Sequence, residues 1–180
     1  MSVNYDKAQT FMACSSAFAV VNAATDVFTI TGNDTTLTSV LKIGISTIHD
    51  TASGVYSWYL ARRNTANSAG TSAARVYVGM RNNAGATAYS TVLQYTANPT
   101  LGVIDANIAA FNLAAPLATI ATPDTCGAPA PYVIDFESDF GQPVELYDSD
   151  EVLALNLGGA PVANVLTALI WVQWAEQSKT

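Results

Sequence analysis

One histidine, His49, serves the whole chain of 180 residues, and it is joined by only two cysteines and seven basic side chains. A hydrolase triad would have that single imidazole as its base, beside Asp50 at a strand end, where a lone histidine is ordinarily solvated. The sequence also lacks G-x-S-x-G, a phosphate-cradling loop, an H-E-x-x-H pair and a dinucleotide fingerprint. No enzymatic activity and no cofactor are therefore expected. Cys14 and Cys126 lie far apart and outside any C-x-x-C spacing, so they read as free, small, buried hydrophobes.

Charge is scarce as well. Only 12% of the residues are charged, against roughly 25% in an average soluble domain, so most of the surface must be neutral or covered by partners. A formal charge of −7 with no run of Lys and Arg offers phosphates no footprint, and no nucleic-acid partner is expected. Long apolar runs are missing too, since Asp105, Asn107, Asn112 and Pro116 break the most hydrophobic region, and no membrane span is expected. Phe11 to Ala24 looks like the apolar part of a signal peptide, but Asp6 cancels Lys7 ahead of it and Ser15, Ser16 and Asn22 interrupt it. Export by that route is not expected.

What the chain does contain is period-two alternation. Phe28 and Ile30 alternate with Thr29 and Thr31, the Gly32-Asn33-Asp34 cluster supplies turn chemistry, and Leu37 to Ile48 resumes the pattern, which predicts a hairpin. Further strands are expected at Gly54 to Arg63, Arg75 to Arg81, Ala88 to Tyr95, Tyr132 to Phe136, Pro143 to Tyr147, Glu151 to Leu157 and Leu166 to Glu176. Leu101 to Leu117 leans to extended structure, and Asn82-Asn83-Ala84-Gly85 reads as a turn. Four prolines between Ala114 and Pro131 exclude helix and central strand there and mark the longest loop. The closing strand places Leu169, Trp171 and Gln173 on one face and Ile170, Val172 and Trp174 on the other, so both its faces are apolar. Eight to ten short strands with turn residues between them predict an all-β, antiparallel sandwich of jelly-roll type. Residues 1–25 are expected as an N-terminal arm, and 26–180 as one sandwich domain.

Charge is unevenly placed along the chain. Residues 40–90 carry five cations against Asp50 alone, whereas residues 91–180 carry ten acids against Lys179 alone. Such complementary halves suit self-association or docking. Arg62 and Arg63, at a strand end, are candidates to clamp an acidic partner bidentately. Trp171 and Trp174 are candidates for an apolar contact with a neighbour. Asp135, Glu137 and Asp139, at i, i+2 and i+4, would share a strand face, although an acidic edge is more often a solvated surface than a cation site, and no metal is expected. Tyr56, Trp58, Tyr59, Trp171 and Trp174 could build a carbohydrate-stacking platform, but core packing is the better account.

The segments D-V-F-T-I-T-G at Asp26 to Gly32, R-R-N-T-A-N-S-A-G-T-S at Arg62 to Ser72, Y-T-A-N-P-T-L-G at Tyr95 to Gly102, E-V-L-A-L-N-L-G-G from Glu151, and the closing L-I-W-V-Q-W-A-E come in a telling order and spacing. Together they resemble the small jelly-roll virion proteins of tailed phages, among them capsid decoration, or cement, proteins. The resemblance implies a subunit of the virion, assembled in the host cytoplasm as a homodimer or homotrimer. It would clamp the major capsid protein on the head surface. Reducing conditions during that assembly would keep Cys14 and Cys126 unpaired. The alternative within the same class is a module of the tail or fibre, binding host glycans through exposed aromatics. The proline-rich Ala114 to Pro131 segment and the N-terminal residues depart from the family pattern.

Overall fold

The computed structural model of the chain describes residues 8–20, 23–49, 54–80, 87–115, 131–159 and 166–179. Strands, numbered in chain order, build two antiparallel sheets. The first contains β1 (Gln9–Cys14), β2 (Phe18–Ala19), β4 (Thr36–His49), β7 (Tyr77–Gly79), β10 (Tyr132–Asp135), β11 (Val144–Leu146) and β13 (Leu166–Ser178). Its order is β10-β4-β13-β1-β7, with β11 also pairing β4 and β2 pairing β13. The second contains β3 (Thr25–Thr31), β5 (Gly54–Arg63), β6 (Ser72–Ala74), β8 (Thr91–Tyr95), β9 (Ile104–Ala115) and β12 (Val152–Leu157), in the order β6-β8-β3-β12-β5-β9. The thirteen strands among the described residues exceed the eight to ten expected by β1, β2 and β6, while β7 and β11 fall within the expected Arg75 to Arg81 and Pro143 to Tyr147. β2 and β6, of two and three residues, are too short to show alternation in a sequence.

Alternation decides which side of each strand is buried. On β13, Leu166, Ala168, Ile170, Val172 and Trp174 enter the core. On the facing sheet, Leu153, Leu155 and Leu157 of β12, Phe28 and Ile30 of β3, and Trp58 and Leu60 of β5 meet them. Each such aliphatic or aromatic side chain, moved from water to the interior, is worth roughly 1.5–3 kcal/mol. Trp174 is fully buried and stacks on Phe11, with ring centroids 5.6 Å apart. At the edge where β9 and β10 approach, Phe111 and Tyr132 stack at 4.8 Å and link the two sheets.

Three expectations change here. The anticipated arm is, over its described residues, part of the sandwich: β1 pairs β13 from Gln9↔Glu176 to Cys14↔Trp171, and Phe11, Ala13, Phe18 and Val20 are core residues. Within the apolar run that resembled a signal segment, Phe11 to Cys14 belongs to β1 and alternates with period two. Second, Thr25 to Thr31 and Thr36 to His49 do not form a hairpin. The turn is present, with Asn33 Oδ1 accepting from the backbone N–H groups of Thr35 (2.9 Å) and Thr36 (2.8 Å). Its two arms go to different sheets, β3 pairing β12 and β8 while β4 pairs β13, β10 and β11. Turn chemistry fixes a reversal of direction and says nothing of the ladder each arm joins. Third, the Asp135, Glu137 and Asp139 carboxylates do not line a strand. Phe136–Phe140 is a short helix, α1, with Asp135 at its N-cap and Gly141 closing it at φ 78°. The Asn82 to Gly85 turn and most of the proline-rich segment lie outside the described residues.

Candidate interaction surface

The two arginines singled out by the sequence have different surroundings. Arg63 is buried: its Nε and Nη2 donate to Asp26 Oδ2 and Oδ1 at 2.6 and 2.7 Å, and its Nη1 donates to the Gly102 carbonyl at 2.8 Å. Asp26, fully buried, also accepts from Asn67 Nδ2 at 2.8 Å and Asn156 Nδ2 at 2.7 Å. Every lone-pair direction of the carboxylate has a donor, which is the condition for burying a charge without a large penalty. Arg63 is therefore committed inside the chain and presents no clamp to a partner. Arg62 remains partly accessible but is paired, with Glu151 at 2.5 Å and Asp105 at 3.7 Å.

This network sits on the outer side of the second sheet. Leu153, Leu155 and Leu157 point into the core, so Asn156 between them points away from it. Above it lies a continuation of the antiparallel β5–β9 pair. Asn64 N–H donates to Val103 O, Ser68 and Thr100 exchange backbone bonds, and Thr96 N–H donates to Thr71 O before β6 pairs β8. Residues 64–71 and 96–103 thus form an extended ribbon that leads from the β5 side of the sheet to β8, beyond β3. Asn67 ties it down from both sides, donating to Asp26 and accepting from Gly102 N–H at 2.8 Å. The buried Tyr95 hydroxyl is held protonated above its ordinary pKa chiefly by burial, against hydrogen bonds from Thr29 and Asn67. The outer side of this sheet is thus covered in part by the chain itself.

The first sheet has no such cover among the described residues. Cross-strand register arranges its outer side in rows: Val78, Met12, Gln173, Lys42 and Asp135 in one, and Cys14, Trp171, Gly44 and Val133 in the next. Leu169 with Ser46, then Ala19, Thr167 and Ile48, complete it. Val78 is 66% exposed, Leu169 42% and Val133 40%. The only charges in these rows are Lys42 and Asp135, 2.6 Å apart. That bond holds the Asp135 carboxyl below its usual range and raises Lys42 above its own. Trp171 lies across Gly44: a Cβ built on Gly44 would stand 2.1 Å from the indole Cε2. The glycine provides the flat place on which the ring rests.

Trp171 lies partly buried on the outer side of the first sheet, whereas Trp174 belongs to the core, because residues an odd number apart on a strand face opposite sides, and the extra residue of the bulge, Leu41, is on β4. Trp58 is fully buried, while Tyr56 and Tyr59 are only partly so, and no platform joins them to Trp171. Cys14 is exposed on the outer side of the first sheet and not buried, and Cys126 lies outside the described residues. His49 ends β4. No cluster of three or more His, Cys, Asp or Glu side chains suited to a metal occurs among the described residues. Sequence reading missed Val78, Val133 and Met12 as surface partners of Trp171. Their signal, alternation in β7, β10 and β1, is spread over strands too far apart in sequence to be seen as one face.

Comparison with known proteins gives no matching family model, no matching curated protein and no matching solved structure.

Proposed function

We propose that this chain is a virion structural protein of a tailed phage, a jelly-roll decoration protein that binds the major capsid protein on the head surface and stabilises the shell. The path of the chain supports the jelly-roll reading. Setting aside the short β2 and the β6-to-β8 excursion, the sheets reduce to β1-β13-β4-β10, with β11 on the same flank, and β3-β12-β5-β9. The chain visits them in the sequence first, second, first, second, second, first, second, first, as two interlocked Greek keys require. The observation that carries the functional reading is the outer side of the first sheet, uncovered among the described residues, largely apolar and nearly free of charge, on a chain whose residues otherwise total −7. Surfaces of that kind are built to be covered. A subunit that bridges neighbouring capsomers adds buried area opposing their separation under the pressure of packaged DNA. The protein performs no covalent chemistry in this role, and it acts as a homo-oligomer on the particle.

The test is add-back. Heads assembled without the protein are mixed with the purified chain, pelleted, and heated while DNA release is followed. Cosedimentation in fixed stoichiometry and a raised release temperature are expected; heads that neither bind the chain nor gain resistance would refute the role.

A further inference from the structure

We infer that the outer side of the first sheet is where two copies of this chain pack face to face, related by a two-fold axis that passes close to Trp171. A second copy takes the same face on which the virion reading rests, so capsid contact falls to the remaining surface of the dimer, and the purified chain alone tests the packing.

Three observations select a second copy as the occupant. The first is charge. Each chain carries −7, so two copies repel over most approaches, yet the rows around Trp171 hold a single closed ion pair, Lys42 with Asp135. Glu145, opposite Ser39 on β11, lies beyond these rows and is engaged by the Tyr147 hydroxyl. Across these rows of described residues two like-charged molecules can meet over several strands with only closed ion pairs between them, while Glu137, whose charge reaches Lys42 from α1, follows the end of β10.

The second observation is area. The rows fill 14 positions on strands about 4.8 Å apart, with about 6.8 Å between rows. That gives about 460 Å² on each copy and about 900 Å² in all, the size of a weak, reversible interface and above most adventitious contacts. The third is composition. Trp and Met are enriched at interface centres and unpaired Lys, Glu and Asp are depleted, which matches Trp171, Met12, Leu169, Val78 and Val133. Two such pleated faces interdigitate at about 10 Å, as stacked sheets do, with the Trp171 rings near the axis. On the second sheet residues 64–71 and 96–103 already lie over part of the outer side and leave less of it open.

The tryptophans supply a direct readout. Of the three in the chain, Trp58 and Trp174 are fully buried within one copy. Only Trp171 can change its surroundings on association. Sedimentation of the purified chain is expected to give twice its 18.9 kDa mass. Dilution through the dissociation range should shift tryptophan emission to the red. Leu169→Asp and Val78→Asp, both at exposed positions, should each raise the dimer dissociation constant at least about tenfold, the equivalent of about 1.4 kcal/mol. Far-UV circular dichroism should stay unchanged. Salt should hold or tighten the association, because the copies share one sign of charge.

A chain that stays monomeric overturns the inference. So does a dimer whose emission is unaltered on dilution, a dimer that survives both aspartates, or one that weakens as salt is added. The emission readout needs no variant, so it decides even if both substitutions prevent folding. A monomer that still binds heads would sink the two-fold packing and leave the decoration role; a dimer that ignores heads would do the reverse.

Discussion

Arg63 and Asp26, 37 positions apart in the chain, are joined by two nearly parallel hydrogen bonds of 2.6 and 2.7 Å, with both side chains withdrawn from solvent. The bidentate geometry matches the guanidinium fork to the carboxylate. It also fixes the end of β5 against the start of β3, and Arg63 Nη1 reaches on to Gly102 in the overlying ribbon.

Removing one partner should therefore be far worse than removing both. Arg63→Met leaves Asp26 charged and buried with only the Asn67 and Asn156 amides, and a loss of about 3–5 kcal/mol is expected. Asp26→Leu combined with Arg63→Met should recover part of that loss. Urea unfolding midpoints measure both. A single variant within about 1 kcal/mol of the parent would mean that the pair is dispensable to the fold.

Gly32, at the point where the chain leaves β3 for β4, has no room for a side chain. A Cβ there would stand 2.6 Å from the Asp148 carbonyl oxygen and 2.9 Å from Leu146 Cβ. Neither atom is the end of a flexible group. Gly32→Ala should lower stability by about 1–3 kcal/mol, as overpacking does. Gly159→Ala, where nothing lies within 4 Å, should leave the melting temperature unchanged. Equal melting of the two variants would refute the close approach.

The Lys42–Asp135 pair predicts a pH dependence with a definite sign. Asp135 has its carboxyl depressed below 3.8, first by the hydrogen bond from Lys42. A depressed carboxyl contributes stability that is present above its unfolded value and lost as pH falls through the folded one. Lys42, raised above 10.5 by the same bond, contributes stability that is present below that value and lost as pH rises through the folded one. Both groups are solvent-accessible, so the effect on melting is small, and the titration itself is the better readout. In Lys42→Met, the Asp135 carboxyl carbon followed by NMR should titrate at higher pH than in the parent. An unmoved titration would show that Lys42 does not set it.

The sequence carried the strands wherever alternation was long. Phe28 and Ile30 against Thr29, and Trp171 against Val172, were readable because period two leaves one solution for which side is buried. The acidic stretch at Asp135 was misread even though its helix signals were present: an N-capping Asp, and a glycine at the position where φ must be positive. Alternating acids outweighed them. The division of strands between sheets was not readable, since Asn33 settles the turn and only distant partners settle the ladder. Arg63 was read as exposed because the carboxylate that buries it lies two strands earlier in the chain. The outer side of the first sheet assembles from β1, β4, β7, β10 and β13, so no window of sequence contains it.

One consequence follows from the place of β13. It separates β1 from β4 and hydrogen-bonds to both, yet it is the latest strand in the described chain. Until residues near 178 leave the ribosome, β1 and β4 each present an unsatisfied ladder to the cell, and the sheet can close only after synthesis has passed that point. Ribosome-bound nascent chains of this protein thus carry sticky, half-made edges that the finished molecule seals with its closing strand.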